Sequence, residues 1–134
     1  MTHALPMKIA AIVSALFGVA LLFGPNALMA MYGTTELSGP GLYNSMLYGG
    51  ALIAFGVMYW VASTLTEPEA RTTMLGGLVG NGLGLLVALY RQFADTNTPV
   101  TGWVNIVIFL AFTIVFALLY LRSGEKQPQA SVAS

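Results

Sequence analysis

The side chains able to do chemistry in this sequence are few, and most lie in its polar segments. Its one histidine, His3, sits next to the N-terminus, and there is no cysteine. Disulfides, thiolate metal sites and a cysteine nucleophile are therefore excluded, and no metal-ligating cluster can be assembled. Serines such as Ser14 lie in apolar stretches with no histidine to serve as their base. The carboxylates Glu36, Glu67, Glu69, Asp95 and Glu125 all fall in polar links or the tail. Ion-coupled transport generally needs an ionisable group at membrane depth, and none of these lies deep in an apolar run. The methionines are dispersed, as expected for packing side chains and not for a copper site. These absences predict a protein with no catalytic residues, no metal and no cofactor.

The stretch GGLVGNGLG, Gly76 to Gly84, is the densest local signal. A dinucleotide loop would follow a strand and keep GxGxxG spacing, and a P-loop would end in GK[ST]. Neither pattern holds, and the glycines lie inside an apolar run. Gly76, Gly80 and Gly84 recur every four residues and so share one face of a helix. In lipid, small residues allow helix backbones to approach closely. Ser14 with Gly18, Ser45 with Gly49, and Gly50 with Ala54 have the same spacing. The expected packing seam comprises Gly76, Gly80, Gly84, Ser14, Gly18 and Gly49. Whether this chain, a second copy or a ligand covers the glycine face is left open.

Asn81, within the same stretch, reads first as an interhelical hydrogen-bonding group and second as a ligand contact. Arg91 reads as an interfacial anchor, with Asp95 four residues on as an ion-pair partner. Its sharper reading is contact with an anionic headgroup or with a ligand in a cleft. Asn44 and Asn105 begin their apolar runs on the same side as Arg91, together with Tyr43 and Trp103. These five residues and Asn81 form the candidate polar or ligand cluster.

The surrounding elements follow from composition. Hydrophobic residues make up 57% of the 134 residues and charged residues 7%, against about 25% charged in soluble domains. Net charge is zero, which gives no basic footprint for nucleic acid. Four apolar runs, about 7–23, 43–63, 73–90 and 102–121, approach the roughly 20 residues needed to cross a bilayer. Backbone groups in lipid must be satisfied locally, so the runs are expected to be helices. Short polar links favour antiparallel neighbours. The predicted fold is all-α: a transmembrane domain over 1–122 formed by four antiparallel helices, followed by a polar, disordered cytoplasmic tail over 123–134. Pro25 can open a new helix, which predicts a short interfacial helix over 26–32. The first run reads as a retained span, because cleavage after Ala30 would put Leu28 at the −3 position. Lys8, Arg71, Arg122 and Lys126 fall on one side of the spans and Arg91 on the other. This places both termini in the cytoplasm.

The succession LFGPNALMAMYG, LYGGALIAFGVMYWVAS, EARTTMLGGLVGNGLGLLVALYRQ and GWVNIVIFLAFTIVFALLYL resembles uncharacterised bacterial four-span membrane proteins of the domain-of-unknown-function class. The resemblance covers about residues 10–122. It implies the four-span architecture and a bacterial inner-membrane location, and it carries no activity. The leading functional expectation is a small non-catalytic membrane protein acting through helix packing, as an accessory or scaffold subunit. Its expected partners are membrane lipid and either further copies of itself or a larger membrane complex. The alternative is binding or transport of a small hydrophobic or amphipathic molecule, such as a lipid or quinone, in a cleft near Asn81, Asn44, Asn105 and Arg91.

Overall fold

The computed structural model describes residues 2–94 and 99–125. The expected Asp95 partner of Arg91, Lys126 and most of the tail lie outside these residues. The elements are α1 (Ala4–Phe23), α2 (Pro25–Met31), α3 (Gly39–Ala62), α4 (Glu67–Ala94) and α5 (Gly102–Glu125). Among the described residues there is no strand. α1, α3, α4 and α5 are long and apolar enough to cross a membrane.

α4 extends beyond its predicted apolar run at both ends, because a polar turn ends a hydrophobic pattern without ending a helix. At the start of α4, the Thr66 backbone N–H donates to Glu69 Oε2 at 2.9 Å. The Thr66 hydroxyl donates to the same oxygen at 2.7 Å. The backbone contact is one half of a capping box, in which the third helical residue satisfies the cap's own donor. α1 ends at Gly24, and Pro25 occupies the first turn of α2, where its missing N–H would have no helical partner. Gly33, with φ +71°, lets the chain turn after α2. Asn26 then holds the return segment from both sides. The Leu37 N–H donates to Asn26 Oδ1 at 2.8 Å, and Asn26 Nδ2 donates to the Leu37 carbonyl at 3.3 Å.

The bundle consists of two closely packed helix pairs. α1 packs along α3, α4 packs along α5, and contact between α3 and α4 is slight. In the first pair the backbones touch. A Cβ built on Gly18 would lie 2.8 Å from the Gly49 carbonyl oxygen, and one on Gly49 would lie 2.7 Å from the Gly18 oxygen. Gly56 repeats the arrangement against the Ala11 carbonyl at 3.0 Å. In the second pair aromatic rings rest on glycines: Phe116 on Gly77 and Phe109 on Gly84, each 2.7 Å from a built Cβ.

All four long helices meet at the end of the bundle that carries α1's start, the α3–α4 link and α5's end. We call this end the base. Met7, Tyr59, Ala62, Ala70, Met74, Phe116 and Leu119 form its buried core. The Tyr59 and Phe116 rings are 5.2 Å apart. His3 closes the base: its Nε2 lies 3.0 Å from the Leu65 carbonyl, which can only accept, so the ring nitrogen donates. Lys8 lies over the Trp60 ring at 5.8 Å, and the Arg71 guanidinium over Tyr120 at 4.6 Å. Both cations thus rest on aromatic faces at the base, a favourable electrostatic contact.

Candidate functional site

Beyond the base the two pairs diverge and enclose a cleft of about 560 Å³. Helical spacing explains which side chains line it. From α5, Asn105, Ile108, Phe109 and Phe112 follow the i, i+3, i+4, i+7 pattern of one face. From α4, Asn81, Gly84, Ala88 and Arg91 follow the same periodicity. α1 contributes Val13, Ser14, Phe17 and Leu21, whereas α3 contributes only Tyr48 and Leu52. Leu28 and Tyr32, from α2 and its cap, close the top. The walls are mainly apolar, with a few polar groups at defined heights. Volume and lining both match a small-molecule site.

The cleft has a floor and a mouth. Asn81 marks the floor, just above the Tyr59–Phe116 layer. Its Nδ2 donates to the Gly77 carbonyl one turn below at 2.7 Å, and the Tyr59 side chain also interacts with it. Asn81 is therefore tied to its own helix and to α3 as well as facing the cavity. The mouth is built from Tyr32, Asn105 and Arg91. The Tyr32 hydroxyl donates to Asn105 Oδ1 at 3.1 Å, which leaves the Asn105 amide nitrogen as the donor end of that side chain. Burial pushes the Tyr32 phenol above its ordinary value of 10.0, so it stays protonated and donating at neutral pH. The Thr101 hydroxyl donates to the Tyr32 carbonyl at 2.7 Å. These two bonds tie the end of α2 to the start of α5. Among the described residues lining the cleft, Arg91 carries the one formal charge. It also engages another group of the protein.

The expected cluster is divided by this geometry. Asn81, Arg91 and Asn105 line one cleft, whereas Asn44, Tyr43 and Trp103 do not. Tyr43 is exposed, as is Asn44, and Trp103 packs edge-on against Phe93 at 5.6 Å. Tyr48, one turn beyond Asn44, is the aromatic of α3 that reaches the cavity. The expected seam divides too. Gly18 and Gly49 face each other, and Gly84 carries a ring, but among the described residues nothing lies within 4 Å of a Cβ built on Gly76 or Gly80. The helix–helix contact falls instead on Gly77, one position round from Gly76. Ser14 lines the cleft and not the Gly18–Gly49 contact. Sequence reasoning missed Tyr32 as a site residue, and nothing local marks it, because its role depends on α2 folding back over α5. The Asn105–Phe112 face could have been read from its helical spacing, but α5 is apolar all round, so no one face stands out.

Together the fold and cleft define a multi-pass α-helical membrane bundle with a cavity beyond its base. No family model, curated protein or solved structure matches the chain.

Proposed function

We propose that this chain is a non-catalytic membrane protein that binds a small amphipathic molecule, such as a lipid or quinone, in the cleft between its helix pairs. The observation that carries this reading is the cleft of about 560 Å³, with apolar walls and Asn105, Tyr32 and Arg91 at its mouth. The side chains available there hold and orient a ligand; they offer donors and apolar surface. In the same reading both termini are cytoplasmic, because Lys8, Arg71 and Arg122 lie at the base and favour the inner side. The Tyr32–Asn105–Arg91 end of the cleft then lies in the outer half of the bilayer. A bacterial inner membrane is the location implied by the resemblance.

The test is native mass spectrometry after gentle extraction, comparing the wild type with Ala88→Trp, which fills the cavity from α4. The wild type should retain a ligand that Ala88→Trp has lost, with the variant still folded and monodisperse. Equal retention by both proteins, or none by either, would overturn the reading. An accessory role through helix packing is the second reading, favoured by the open Gly76 and Gly80 positions. It predicts a stable oligomer that Gly80→Leu disperses.

A further inference from the structure

The cleft is not closed on all sides. Tyr48 of α3 and Leu83 and Val87 of α4 line it, yet they are 49%, 59% and 63% exposed. A side chain that both lines a cavity and faces the surroundings marks an opening. These three place a slot between α3 and α4; α1 and α5 also make little contact, so side-chain exposure is what distinguishes the two sides. On the opposite side the lining residues of α1 and α5 are half-buried or buried. At the top, the Tyr32–Asn105 and Thr101–Tyr32 bonds join α2 to α5. The cavity therefore communicates sideways with the surroundings, at a depth that is hydrocarbon in a bilayer.

Gly80 borders this slot, one turn below the lining residues Leu83 and Gly84. It lies three, four and seven residues before Leu83, Gly84 and Val87, on the face they share. A built Cβ there meets nothing within 4 Å among the described residues. The α4 rim is thus smooth where an alkyl chain would cross it. From Asn81 at the floor to Arg91 at the mouth, α4 rises about 15 Å. That is half of a hydrocarbon core of about 30 Å, the depth of a single leaflet. The polar groups at the mouth fix the headgroup chemistry. Arg91 has donors only, and its planar guanidinium has enough of them to serve a protein partner and a ligand oxygen together. Asn105 Nδ2 is a donor as well. Two donors at interface level suit an acceptor-rich head, and anionic oxygens most strongly.

Building on the ligand-binding reading above, we infer that the occupant is an anionic membrane lipid that enters sideways through the α3–α4 slot. One tail lies along the Gly80–Val87 rim in the cleft, and the phosphate sits at Arg91 and Asn105. The cleft takes this lipid from the bilayer, not from water.

The probes are palmitoyl-oleoyl phosphatidylglycerol and palmitoyl-oleoyl phosphatidylcholine, which share tails and differ in net head charge. Retention of each from mixed nanodiscs is read by native mass spectrometry, and exchange is timed with chain-labelled lipid. The wild type should prefer phosphatidylglycerol, and Arg91→Gln should reduce that preference about tenfold. Gly80→Leu and Leu83→Trp, each with thermal stability measured, should slow exchange without unfolding the bundle. Ala88→Trp should abolish retention of both lipids. If Ala88→Trp abolishes retention but the two lipids are held equally and Arg91→Gln changes nothing, the headgroup assignment fails and the ligand-binding reading stands. If both slot variants stay folded and exchange at the wild-type rate, lateral access fails. Retention that Ala88→Trp leaves untouched overturns the inference and the ligand-binding reading together.

Discussion

The two helix pairs use glycine in opposite ways. In α1–α3 a glycine faces a glycine, and the opposing surface is backbone. In α4–α5 a glycine faces a phenylalanine ring, and the opposing surface is a side chain with rotamers of its own. A backbone can retreat only if the whole helix moves, whereas a ring can turn if there is space beside it. One pair is therefore a rigid seam. The other is adjustable where it borders the cleft and fixed where it enters the base. The same contrast separates the packed end of the bundle from its open end.

Substitutions along the two seams test this difference. Gly49→Leu should have the largest effect. Its first side-chain atom would sit 2.7 Å from the Gly18 oxygen and from the Leu22 nitrogen, so α1 and α3 must part. A loss of about 3 kcal/mol or more is expected, read as loss of the monodisperse folded species and a collapsed melting transition in detergent. Gly77→Ala should come next, at about 2 kcal/mol by thermal unfolding. Phe116 must give way there, but it is only 1% exposed and is boxed in by Tyr59 and Phe112. Gly84→Ala creates an equally short contact with Phe109, yet this ring is half-buried beside the cavity and can swing into it. Its cost should be about 1 kcal/mol or less. Equal costs at Gly77 and Gly84 would mean that the space beside Phe109 is not free to receive the ring. Gly80→Leu should have the smallest effect on folding, within about 0.5 kcal/mol, because no described residue lies within 4 Å of a Cβ built there. A large destabilisation there would show that the face is covered, by a second chain or by bound lipid.

The stretch GGLVGNGLG shows how far sequence could locate these contacts. Four-residue spacing identifies a small-residue face, and α4 does pack through glycine. But Gly76 and Gly77 are neighbours 100° apart on the helix, and spacing alone cannot choose which of them meets α5. Asn81 behaves similarly. Its membrane depth was legible, whereas its bond to Gly77 and its place on a cavity floor depend on how α4 is rotated. Asn44 and Asn105 begin their helices at similar heights, yet only Asn105 turns inward. A helix that is apolar on every face carries little information about its own rotation, since lipid and protein interior accept the same side chains. Charged residues would have marked the outward face in a soluble bundle.

The sequence by itself determined that the chain forms helices, how many can span a bilayer, and roughly where each begins and ends. The physical reason is local: a backbone in hydrocarbon must bond to itself, and long apolar runs allow only helices to do so. Tertiary structure decided the rest. It paired α1 with α3 instead of joining all four helices equally, made Gly77 the contact and left Gly80 open, and brought Tyr32 over α5 to close the mouth. Those choices depend on which surfaces interlock at van der Waals distance, and interlocking belongs to two helices at once.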